Sequence, residues 1–172
     1  MNGNIDYRAL AQRNGWDYSY GQEDNRPYFM KDGKYAVPDE NTSVEDKRML
    51  ANAISEGSRE MARLILTCWN NGIKIVGPCS GIRSEHKKQP TCLHFGFIGN
   101  PELVSKIYET IANTFPSYSH LYRELSSEES RYDLNYYLNG KELTKDEADT
   151  IFEVINLKLP IILENMESKI RR

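Results

Sequence analysis

The segment Val76–Ile98, VGPCSGIRSEHKKQPTCLHFGFI, constrains what this chain can fold into more than any other stretch. It begins apolar, breaks at Gly77-Pro78, crosses a polar loop and returns as an apolar run from Cys92 to Ile98. Neither half is long enough for a helix, and each is bounded by turn residues, so strands are predicted near 73–78 and 92–98. Two strands and the loop between them form a rigid frame for polar side chains, the usual setting of a site.

Cap and turn residues punctuate the rest. A short helix is predicted over 4–14, stopped by Asn14-Gly15. Tyr28–Val37 reads as a hairpin about Lys31-Asp32-Gly33, since Asp-Gly supplies the left-handed backbone such turns need. Thr42 and Glu45 form a capping-box pattern ahead of a helix over 43–70, with a break expected at Gly57 between Ser55 and Ser58. Asn100-Pro101 places a cap and an N1 proline before a helix over 101–115. Strands are predicted next at 118–125 and 131–138. Thr144 and Glu147 repeat the capping box before a helix over 145–168, which Pro160 should kink or divide. Ile107, Ile155 and Leu66 fall on apolar stripes and are predicted core, as are Phe95 and Phe97.

From Tyr28 the elements run β-α-β-β-α-β, then a further strand and a helix. That order is the one expected of an α+β, ferredoxin-like sandwich with helices on one face of an antiparallel sheet. Residues 1–41 read as a helix and hairpin segment packed on a single domain spanning 42–172.

Composition narrows the function classes. A chain of 172 residues carries a net charge of −3, which argues against duplex DNA, whose recognition rests on clustered positive charge. No apolar run approaches the ~18 residues of a membrane span, and the start lacks a secretory pattern, so no membrane partner is expected and the cytoplasm is the predicted location. Three cysteines are too few and too odd for a disulfide scaffold. Eleven tyrosines are the unusual feature. Tyr18, Tyr20, Tyr28 and Tyr35 crowd the N-terminal segment, and rigid amphipathic rings suit a recognition surface.

The 76–98 segment holds the candidate chemistry. Cys79, His86 and His94 could form a Cys–His nucleophile and base. Zinc accepts such donors together with Cys92, but only Cys92 and His94 are closely spaced, so no metal is predicted. Ser80 with Arg83, Lys87 and Lys88 could bind an anion or a partner surface. Glu124, Glu128, Glu129 and Asp133 read as a solvated acidic run.

Cys79-Ser80-Gly81-Ile82-Arg83, with the strand Leu93-His94-Phe95-Gly96-Phe97 and a helix after it, resembles the Cys-Ser-Gly-Arg region of the wybutosine-synthesis protein 3 family. The likeness spans about residues 76–123. It implies methylation of a tRNA base with S-adenosylmethionine as cofactor, and roles for Ser80 and Arg83. Phe95-Gly96-Phe97-Ile98 also resembles the end of the ribonucleoprotein-1 motif of RNA-recognition motifs.

Two functions are expected on these grounds. The first is a cofactor-free binding or inhibitory module that meets a protein partner through its tyrosines and the 77–92 loop. Small acidic, tyrosine-rich domains such as many phage-encoded inhibitors share this profile. The alternative is a small enzyme acting on a nucleotide or RNA through Cys79, His86 and His94.

Overall fold

Leu93, Phe95 and Phe97 have no solvent exposure, while His94 between them is partly exposed. Strand geometry sends alternate side chains to opposite faces, and this segment has sorted its apolar residues to one. The computed structural model describes residues 6–21, 26–80, 92–137 and 143–170. The chain forms α1 (Tyr7–Arg13), β1 (Asp17–Gly21), β2 (Arg26–Lys31), β3 (Lys34–Tyr35), α2 (Val44–Ile54) and α3 (Arg59–Asn70). It continues through β4 (Lys74–Ser80), β5 (Cys92–Gly99), α4 (Pro101–Thr114), β6 (Ser119–Glu124), β7 (Ser130–Tyr137) and α5 (Lys145–Ile170).

The architecture is mixed helix and sheet, α+β in class, with two antiparallel sheets ordered β1-β2-β3 and β4-β5-β7-β6. The ferredoxin-like order is not the one formed. That order needs the hairpin after Tyr28 to enter the main sheet, but its strands pair with β1 instead. Strand β1 is absent from the sequence-based expectation, although Tyr18-Ser19-Tyr20 alternates as a strand does. Its register sets Tyr18 opposite Phe29 and Tyr20 opposite Pro27, which commits the hairpin to a separate small sheet.

Helices α3, α4 and α5 cover one face of the four-stranded sheet. Leu64, Ile65, Val104, Ile107, Phe152 and Ile155 pack there against Phe95, Phe97, Tyr132 and Leu134. A second cluster joins Leu10, Trp16 and Phe29 of the N-terminal segment to Leu50 and Ala53 of α2. Arg13 and Asn14 secure that junction by donating to the carboxylate of Asp46 on α2. The Arg13 guanidinium holds the Asp46 carboxyl below the usual carboxylate range, with Asn14 and Ser43 adding to it against the opposing effect of burial.

The predicted helix over 43–70 is two helices, divided where the sequence placed its break. Glu56 there takes a left-handed φ of 52°. Ser58 restarts the chain as α3, accepting from Met61 N at 3.1 Å and donating to Asp149 of α5 at 2.6 Å. The first cap differs from its prediction. Ser43, not Thr42, accepts from Asp46 N at 3.0 Å, because Thr42 is occupied with Asp39. The second capping box forms as read, Thr144 N to Glu147 at 2.8 Å and Glu147 N to Thr144 at 3.2 Å. Pro160 does not divide α5. It sits on the exposed side of the helix, although the carbonyl that loses its N–H belongs to the buried Asn156.

Ile107 and Ile155 are buried as expected, whereas Leu66 is only half-buried at the margin of the core. Chemical denaturation should therefore report losses of about 2–5 kcal/mol for Ile107→Ala and Ile155→Ala. Leu66→Ala should lose less than either.

Candidate functional site

The face of the four-stranded sheet turned away from the helices carries polar chemistry at its centre. Residues directly opposite each other on neighbouring strands share a face, and the register places Gly96 and Leu121 on either side of Asp133. Arg131 lies between Ile98 and Arg123, and His94 stands opposite Asn135. One row over, β4 sets Cys79 opposite His94.

That last pairing depends on a bulge. Between Val76 and Cys79 the β4–β5 register shifts, and Gly77 adopts a φ of 53°. A bulge bends its strand and re-aims the residues beyond it. Here it turns the Gly77 carbonyl onto His94, whose Nδ1 donates to it at 2.8 Å. The next carbonyl, of Pro78, accepts from Arg26 Nη1 at 3.3 Å. Arg26 Nη1 also meets Glu56 at 2.8 Å, and the Glu56 side chain is wholly buried.

Asp133 is the hub of the open face. Its carboxylate is 5 % exposed and accepts from Arg131 Nε at 2.7 Å, Arg131 Nη2 at 2.8 Å and His94 Nε2 at 3.1 Å. Arg123 stands 4.0 Å away. Burial pushes the Asp133 carboxyl up, but the bonds from Arg131 and His94 outweigh it and hold it below its ordinary value. Paired forks of this kind are among the stronger hydrogen bonds in proteins.

Two glycines make the cluster sterically possible. A Cβ on Gly96 would stand 2.7 Å from Asp133 Oδ1, and one on Gly77 would stand 2.9 Å from His94 Nδ1. Both distances are shorter than real contacts allow, so the close approach of carboxylate and imidazole demands the missing side chains.

The chemistry available to His94 is set by its partners. Both ring nitrogens face acceptors, a carbonyl and a carboxylate, and both bonds together require an N–H on each. A ring making both bonds is a donor at each nitrogen.

Of the residues read as a site, Cys79 and His94 are brought face to face. Ser80 ends β4, while His86, Arg83, Lys87 and Lys88 lie outside the described residues. Among the tyrosines, Tyr20 and Tyr35 are 49 % and 46 % exposed. Tyr18 packs on Tyr7 and Phe29, and Tyr28 lies beneath the Arg26 guanidinium and beside Tyr35. Phe95 and Phe97 face the helices and are fully buried, so they are not an exposed ring pair of the kind an RNA-recognition motif presents. Asp133, read from the sequence as part of a solvated acidic run, is instead buried and hydrogen-bonded, and Arg131 was missed by sequence reasoning. Their signal was the alternation Arg131-Tyr132-Asp133-Leu134, which marks the charged pair as one face of a strand.

No protein-family model, curated protein or solved structure matches this chain.

Substitution of the glycines tests the close approach. Gly96→Ala should destabilise by about 1–3 kcal/mol through overpacking, and Gly77→Ala by a similar amount through contact and strain. Gly99→Ala, whose Cβ meets nothing nearer than 3.7 Å, should change stability by less than ~0.5 kcal/mol in the same denaturation assay. Acid offers a second test. A carboxyl lowered in the folded state adds stability above its unfolded pKa and loses it as pH falls through the folded one. Stability measured from pH 6 down to 2 should therefore drop below about pH 4 in the wild type, and less steeply in Asp133→Asn.

Proposed function

We propose that this chain is a small binding or inhibitory module that acts through protein–protein contact and performs no catalysis of its own. The observation that carries the reading is the saturation of its polar cluster. Asp133 is taken up by Arg131 and His94, and His94 is committed at both nitrogens, so these groups hold the sheet face and the bulge in place. A catalytic His–carboxylate pair keeps one nitrogen for the reacting proton. In this reading the contact surface is built from the exposed rings of Tyr20 and Tyr35 with Tyr18 and Tyr28 beside them. Ser80, Arg83, Lys87 and Lys88 are its further candidate contact residues, and the reading is of a cytoplasmic module with no membrane partner.

The second reading is an enzyme acting on a nucleotide or RNA. Cys79 opposite His94 favours it, as does the resemblance of the Cys79–Arg83 stretch to a methyltransferase family that uses S-adenosylmethionine.

Affinity capture with the full-length protein, coupled to binding measurements on the captured partner, separates the two. For a module, Tyr20→Ala and Tyr35→Ala should weaken association, and charge reversal at Arg83, Lys87 and Lys88 should alter its salt dependence. Cys79→Ser and His94→Gln should leave association within about threefold of wild type. The enzyme reading wins if a thiol reagent modifies Cys79 far faster than buried Cys68 and thereby stops a nucleotide- or RNA-modifying activity.

A further inference from the structure

Where the three-stranded sheet meets the bulged end of β4, Arg26, Tyr28, Phe29, Tyr35, Trp69 and Pro78 help to enclose a cavity of about 40 Å³. That is more room than one water requires, and it suits a group of a few non-hydrogen atoms. Trp69 lines this space and carries an unmet demand. Its Nε1 is the buried side-chain nitrogen without a hydrogen-bond partner among the described residues. An indole N–H only donates, so what it lacks is an acceptor. Native structures leave few such groups, and each calls for a physical cause.

The lining also defines the charge of an occupant. Among the described residues, the Arg26 guanidinium is paired with the wholly buried Glu56 at 2.8 Å. A carboxylate entering here would place a second negative charge near Glu56, and a cation would meet the guanidinium; both would lose their hydration. A neutral group avoids these costs. Gly77 and Pro78 line the same space, and each carbonyl oxygen has a second lone pair beyond its bond to His94 or Arg26. They can take N–H donors while Trp69 supplies one. Tyr28 and Tyr35, stacked with centroids 6.3 Å apart, offer a flat wall.

We propose that this cavity is a binding site for a small neutral carboxamide, whose oxygen accepts from Trp69 Nε1–H and whose nitrogen donates toward the bulge carbonyls. The proposal is independent of whether the chain binds a protein partner.

The test is a titration of the full-length protein with acetamide, observed through the indole N–H resonances and assigned with Trp69→Phe. Acetate and methylammonium serve as charged probes of similar size. The Trp69 resonance should shift saturably with acetamide, while that of Trp16, buried in the N-terminal cluster, should not move. Acetate and methylammonium should each bind at least about tenfold more weakly. Trp69→Phe should weaken acetamide binding by a similar factor, monitored through the methyl resonances of Ile75 and Ala36. The comparison of the three probes on wild-type protein decides the matter even if that variant does not fold. No saturable shift, an equal response to acetate, or a water that stays on Trp69 Nε1–H throughout the titration would overturn the proposal.

Discussion

Two successive carbonyls, those of Gly77 and Pro78, are held by side-chain donors from different sheets, and the relation between the two sheets depends on this clasp. His94 reaches Gly77 from the main sheet, and Arg26 reaches Pro78 from the small one. Behind each donor stands a buried carboxylate, Asp133 behind His94 and Glu56 behind Arg26. Ion pairs of this kind add little net stability over apolar packing, but removing one partner strands a buried charge. Geometry is what they supply. The bulge would otherwise be a soft point, since its register shift interrupts the ladder there.

The two described histidines are each engaged at both ring nitrogens. His120 Nε2 donates to the Phe115 carbonyl at 2.7 Å, and its Nδ1 sits 2.8 Å from the Tyr132 hydroxyl. Burial pushes the Tyr132 phenol up. His120 makes its two contacts on the helix side of the sheet, and His94 makes its two on the open side. Both use every nitrogen they have, and each ties a sheet residue to a segment where the regular ladder ends.

Local grammar was legible in the sequence to within a few residues. Asn100-Pro101 does start α4, with the Asn100 side chain accepting from Glu102 N and Leu103 N, and Asp32-Gly33 does turn the hairpin with both residues at positive φ. Those features are written in adjacent residues and need no tertiary partner. Sheet membership was not legible, because Tyr28–Val37 pairs equally well, on pattern alone, with a distant strand or with the residues just before it. Thr42 failed as a cap for a similar reason, since Asp39 competes for its hydroxyl.

The candidate site divides along the same line. Cys79 and His94 were legible because reactive residue types stand out one at a time. Asp133 and Arg131 belong to a motif of no fixed spacing, and they become a cluster only when β7 pairs with β5 in the register that sets Asp133 against Gly96. A one-residue slip would turn Asp133 into the apolar core and Tyr132 out of it. The register is held from both faces at once. On the helix side Tyr132 stacks on Phe97 with ring centroids 5.6 Å apart, and on the open side the Asp133 carboxylate lies where a Cβ on Gly96 would come within 2.7 Å of it. The polar cluster is thus selected by the same pairing that builds the core, which places its charges where an apolar face gives no room for error.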